Sequence, residues 1–173
     1  NVISCGLGED ASFDIEIINQ KNSVVYAIDP TPKSIDYYKK IKESFGSEKT
    51  QDYSQDGNQS IKSYNLKNIN KDNFILINQA IYDSSKEEIK LYFPVNKNFV
   101  STSIKKNKNY SEDFFYAKTV TLDQLIFKFS LKSIDLLKLD IEGAEIEVIN
   151  DFLGKKIFPK QITVEFTNLK SFN

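Results

Sequence analysis

The first twelve residues, NVISCGLGEDAS, constrain the fold more than any other stretch. A short apolar run, Val2-Ile3, enters two glycines spaced one apart, Gly6 and Gly8, and a helical pattern follows from Phe13 to Ile18. A strand that ends in such a turn and feeds a helix is how α/β sheets bring backbone against a nucleotide-like ligand. Glycine takes positive φ there and leaves no Cβ in the ligand's path. A second apolar strand, Val24 to Ile28, ends in Asp29, twenty-one residues after Gly8. An acid about 20 residues past the glycines accepts the ribose hydroxyls in dinucleotide-type sites. Either feature alone has a plain reading, a tight turn for the glycines and a turn former for Asp29-Pro30. Together they favour a ligand.

The rest of the chain supports that frame. Thr31 is placed to cap a helix that opens on Pro32, carries Ile35, Tyr38, Ile41 and Phe45 as its buried stripe, and stops at Gly46. Residues 47–73 are polar and are expected to form a mobile insertion with little core to bury. FILINQAI, 74–81, reads as one continuous strand, and Ile89, Leu91 and Phe93 alternate as in a half-buried antiparallel strand. Residues 95–118 hold Phe99, Tyr110, Phe114, Phe115 and Tyr116, types more often found in core than in pockets, and form a candidate acceptor loop. Thr121 and Gln124 form a capping box for a helix through Phe129. SIDLLKLD is a fourth strand ending at Asp140. Glu142 to Glu145 then open a helix with Ile146, Val148 and Ile149 inward and Gly154 as its stop. Asp140 could be that helix's N-cap, and Glu142, Glu145 and Glu147 its solvated first-turn charges. QITVEF, 161–166, is the fifth strand. Strands alternating with helices, plus one antiparallel hairpin, predict a single α/β domain over 1–173 built on a doubly wound, mostly parallel sheet. Ligands in such sheets sit beyond the carboxyl ends of the strands, here Cys5-Gly6, Asp29, Ala80-Ile81, Asp140 and Glu165.

Composition removes several classes of chemistry. The chain has no His, so a general base must be a carboxylate, Tyr, Lys or water, and imidazole metal sites are excluded; no metal is expected. All its cations are Lys, which rules out bidentate guanidinium clamps. The net charge of −1 argues against a nucleic-acid partner. No apolar run is long enough to span a bilayer. The single cysteine, Cys5, has no partner for a disulfide and no His or Arg to activate it, which favours a small buried residue and a cytoplasmic setting. With no Met, the chain is expected to be a piece or a processed form of a longer one.

Four stretches carry a resemblance: CGLGEDASFDIE (5–16), YAIDPTPKS (26–34), TLDQLI (121–126) and, most specific, LLKLDIEGAEIEVI (136–149). On these the chain resembles the FkbM family of S-adenosylmethionine-dependent methyltransferases. The resemblance implies a Rossmann-like methyltransferase fold and methyl transfer to a hydroxyl of a sugar or small metabolite, with a small-molecule or glycan acceptor as partner. Carried over by position, Cys5, Gly6, Leu7 and Gly8 would line the methionine and ribose part of the cofactor. Asp29 with Pro30 would meet the ribose, and Ala80 and Ile81 would border the adenine. Asp140, with Glu142 behind it, would face the methyl group and the acceptor as catalytic residues. Two departures stand out. Ser4 occupies the place, two before the first glycine, where methyltransferases commonly carry an acid, and Asp10 stands where the motif's third glycine falls. The cofactor's ammonium group is therefore left to Asp140, Asp10 or backbone carbonyls. Only TNLKSFN follows the fifth strand, so either the antiparallel pair that usually closes this fold has been trimmed away or the edge is built differently. Two other readings share the fold: a scaffold domain without turnover, and a nicotinamide-dependent oxidoreductase, which Ala11 at the third glycine of that motif disfavours.

Overall fold

The computed structural model describes residues 1–55, 58–96 and 98–166. In chain order the elements are β1 (Val2–Cys5), α1 (Ser12–Lys21), β2 (Val25–Ile28), α2 (Pro32–Glu43), a short 3-10 turn (Ile61–Ser63), β3 (Phe74–Ile77), β4 (Ala80–Ile81), β5 (Glu88–Pro94), β6 (Tyr110–Val120), α3 (Leu122–Lys128), β7 (Leu136–Leu139), α4 (Glu145–Gly154) and β8 (Ile162–Val164). Five strands form a parallel sheet ordered β3-β2-β1-β7-β8, and β4-β6-β5 make a second, mixed sheet. The Rossmann-like α/β architecture is the expected one. Among the described residues no helix is long and apolar enough to cross a membrane.

Alternation along the strands sorts the core into two layers, because successive side chains of a strand point to opposite faces. Ile3 and Cys5 of β1 face one side, with Leu125 of α3 and Val148 and Phe152 of α4 packed there. Val2, Val25 and Ala27 face the other, against Ile15 and Ile18 of α1 and Tyr37 and Ile41 of α2. Helices thus cover both faces, which is why the strands read as unbroken apolar runs.

Several local expectations are corrected. α1 buries Asp14, Ile15 and Ile18 and leaves Phe13 outside. α2 keeps its Thr31 cap, whose side chain accepts from Ser34 N–H, but its buried stripe is Ser34, Tyr37 and Ile41. The run 74–81 is two strands. The chain breaks at Asn78-Gln79 and β4 leaves the parallel sheet to pair with β6. Continuous apolarity could not show this, because both halves are buried. Residues 47–73 are not coreless. Tyr64, Leu66 and Ile69 are buried against α1 and α2. The candidate loop 95–118 is shorter than expected, since from Tyr110 onward it is β6. Phe114 and Tyr116 lie on the exposed face of that strand, and Phe99 is also exposed, so these three are neither core nor pocket. At the capping box, Gln124 accepts the Thr121 N–H at 2.9 Å. α4 begins three residues later than Glu142 and is capped by Ala144; it buries Glu145, Val148 and Phe152 and exposes Ile146. The stretch after β8 on which sheet closure depends, 167–173, lies outside the described residues.

Candidate active site

The strand order reverses at β1, with β2 and β3 to one side and β7 and β8 to the other. At such a switch the loops leaving neighbouring strands diverge and open a crevice at their carboxyl ends. A cavity of about 320 Å³ lies there, within the size range of small-molecule sites. Its floor is the glycine turn. Gly6 has φ +88° and Gly8 φ +56°. A Cβ on Gly6 would stand 1.9 Å from the main-chain oxygen of Asp140, so β7 itself demands glycine at that position. A Cβ on Gly8 would meet Val100 Cγ2 at 3.2 Å.

Asp29, buried at the end of β2, holds this turn in place. Its Oδ2 accepts the N–H groups of Leu7 at 3.0 Å and Gly8 at 2.9 Å, and Oδ1 accepts the Thr31 N–H at 2.8 Å. The last of these is an Asx-turn, so Asp29 is also the turn former that its Pro30 neighbour suggests. A carboxylate offers about four lone-pair sites. Three are used, which leaves one on Oδ1, and Asp29 and Pro30 both line the cavity. Ala80 and Ile81, at β4, line it as well.

On the far side β7 delivers Lys138 and Asp140. Lys138 Nζ donates to Gly6 O at 3.0 Å and to Asp140 Oδ2 at 3.3 Å, tying the glycine turn to the acid. Asp140 is not a helix cap. Between it and α4 the chain makes a left-handed turn, with φ +54° at Glu142 and +106° at Gly143. Glu145 stabilises that turn by accepting the Gly143 N–H at 2.8 Å, so it is a buried structural acid and not a solvated charge. Glu142 reaches the cavity wall. The roof is the loop between β5 and β6, where Val100, Ser101, Thr102 and Ile104 face the cavity. Ser103 fastens it, donating from Oγ to Glu142 O at 2.8 Å and bridging backbone to backbone with Tyr92.

Of the residues singled out from sequence, Gly6, Leu7, Gly8, Asp10, Asp29, Pro30, Ala80, Ile81, Asp140 and Glu142 all line this one cavity. Cys5 does not. It is fully buried in the α3/α4 layer, and burial pushes its thiol pKa up. Glu165, exposed at the end of β8, stands apart as well. The structure adds Lys138 and Asp14. A lysine between Leu137 and Leu139 in a buried strand, and an aspartate beside Ile15 on the inward face of α1, are polar breaks in apolar patterns. Those breaks are the signal that could have found them. Among the described residues no cluster of acids and cysteine is arranged to hold a metal ion.

No curated protein and no solved structure is matched by the chain. The sequence model of the methyltransferase FkbM domain matches residues 8–173, from the second glycine of the turn through Asp29, the roof loop and the Asp140 segment. With nearly the whole chain covered, and the cavity walls contributed by Asp29, Ala80-Ile81 and Asp140 all within that span, the protein belongs to the FkbM methyltransferase family.

Proposed function

We propose that this cavity binds S-adenosylmethionine and that the protein transfers its methyl group to a hydroxyl oxygen of a sugar or another small metabolite, in the cytoplasm. One observation carries the reading: the glycine turn, Asp29, Ala80-Ile81 and Asp140 come from different strands and wall a single cavity. The residues fit the group. The remaining lone pair of Asp29 suits a ribose hydroxyl, the apolar Ala80-Ile81 wall suits an adenine face, and the bare Gly6 and Gly8 backbone admits close approach. When bound, S-adenosylmethionine supplies a sulfonium-activated methyl group. The chain's own task is to hold an acceptor in line at about 3 Å with water excluded, which the Val100–Ile104 roof serves. A neutral hydroxyl is a poor nucleophile, so a carboxylate that receives its proton helps. Asp140 is the base for that step. Lys138 fixes its Oδ2, and Glu142 stands on the same wall.

The test is binding followed by turnover. Thermal-shift scans with S-adenosylmethionine, S-adenosylhomocysteine and NAD should show stabilisation with the first two, about 2.7 kcal/mol at a hundredfold excess over Kd. A shift with NAD alone would turn the reading to hydride transfer, and no shift at all to a scaffold. Asp140→Asn is expected to keep cofactor affinity by calorimetry and lose methyl transfer, and full activity would remove the base role. Asp29→Ala should weaken cofactor binding.

A further inference from the structure

One polar cluster lies inside the otherwise apolar layer between the sheet and α1. In β1, Ser4 points to the same face as Val2, and its neighbours in register are Ala27 of β2 and Lys138 of β7. Opposite it, α1 turns Asp14 inward beside Ile15 and Ile18. Asp14 is 2% exposed, it lines the cavity, and its Oδ1 makes no hydrogen bond. Beside it the hydroxyl of Ser4, 1% exposed, favours the charged form of Asp14 but leaves Oδ1 without a hydrogen bond. A buried carboxylate oxygen with no donor is costly unless something with donors completes it, because it loses its hydration on folding. Lys138 does not do so. Its ammonium is turned to Gly6 O and Asp140.

We infer that Asp14, seated over Ser4, is the receptor for the α-ammonium group of the amino-acid end of the methyl donor. The sequence lacks an acid at position 4. The fold supplies one to the same place from the facing helix, and the serine leaves the room that it occupies. Asp140 and Asp10 are thereby relieved of the role. Asp140 is held by Lys138, and Asp10 Oδ1 is engaged by the Ser12 N–H at 2.8 Å. This inference rests on the cavity being the donor site.

The charges facing Asp14 decide how the contact responds to pH. Burial raises its pKa to about 6, with Asp10 of the glycine turn adding to the rise and Lys138 of β7 and the Ser4 hydroxyl opposing it. Above that value it is a carboxylate that attracts an ammonium. Below it, the attraction goes.

Calorimetry with two probes separates the amino-acid end from the rest. S-adenosylhomocysteine carries the ammonium, and methylthioadenosine shares the adenosine and thioether but has no amino acid. In the wild type, S-adenosylhomocysteine is expected to bind more tightly at pH 7.5. Asp14→Asn should weaken it by about tenfold to a hundredfold, the range for a hydrogen bond to a charged partner, and leave methylthioadenosine unchanged. The unchanged probe also shows that the variant is folded. The wild type alone gives a second arm: its preference for S-adenosylhomocysteine should shrink as pH falls through about 6, a range in which the ligand's amino group stays protonated. Equal loss of both probes, or a preference indifferent to Asp14 and to pH, overturns the inference while the donor site stands. Binding of neither probe to the wild type overturns the donor site itself.

Discussion

Asp14 and Gly6 show how single residues in this site are fixed by opposite demands. Gly6 is required by its neighbours. Any Cβ meets the Asp140 carbonyl, and the backbone sits at positive φ. Gly6→Ala is therefore expected to destabilise by about 4 kcal/mol or more, the range of severe backbone strain and overpacking, as urea unfolding would show. Asp14 is tolerated at a penalty. Its raised pKa means that between 3.8 and about 6 the native state holds a proton that the unfolded chain has released. Stability thus falls as pH rises through that window, and the neutral-pH protein bears the strain of a buried carboxylate. Asp14→Asn should raise unfolding stability at pH 7.5 by up to about 3 kcal/mol, and the advantage should vanish below pH 4, where the wild type is also uncharged. A variant that is more stable yet binds the donor less tightly is the pattern of a functional residue held against the preference of the fold. Equal stability of the two proteins at pH 7.5 would show that the carboxylate is not strained.

At the scale of elements, the segment 47–73 carries the lesson. Its Gln, Asn and Ser content suggested a mobile excursion, yet three scattered apolar residues, Tyr64, Leu66 and Ile69, anchor it to the α1/α2 layer. Composition averages over such anchors. Tyr64 has a specific duty: its hydroxyl accepts the Ala11 N–H at 2.9 Å, at the N-terminus of α1, and meets the Tyr37 hydroxyl at 2.6 Å. Tyr64→Phe leaves a buried N–H without an acceptor and should lower stability by about 1–3 kcal/mol, measurable by chemical denaturation. Unaltered stability would mean that another group takes up the Ala11 N–H. The elements that sequence located well are those with local punctuation, such as Gly6-Gly8 after β1, Thr31-Pro32 before α2 and the Thr121/Gln124 box. Those it misjudged depend on distant partners. β4 is separated from β3 by its pairing with β6, and α1 turns Asp14 inward to line the cavity, which its apolar spacing does not show.

For the whole molecule, the cavity belongs to two units that the chain builds separately. The parallel sheet provides the floor through its switch point, a consequence of topology that the order of strands and helices already implied. The second sheet, β4-β6-β5, provides the roof, and nothing local in residues 95–109 showed that Val100 to Ile104 would fold back over Gly8 and Glu142. Position in sequence hid this, because the roof and the floor meet through partners distant in the chain: the Ser103 hydroxyl, the Val100 side chain, the Lys33 ammonium, which donates to Phe99 O at 3.0 Å, and the apolar cluster that joins Ile104 to Ile141 and Ala144. A ligand between the two layers should couple them. With S-adenosylhomocysteine at saturation, amide hydrogen exchange is expected to slow together in residues 6–12 and 99–105, while α3 and β8, which do not line the cavity, keep their rates. Ser103→Ala removes the hydroxyl that fastens the roof to Glu142 and leaves the floor contacts untouched. In that variant the ligand should still protect residues 6–12 and should protect 99–105 less. Protection confined to the floor in the wild type would mean that the Val100–Ile104 loop is not part of the closed site.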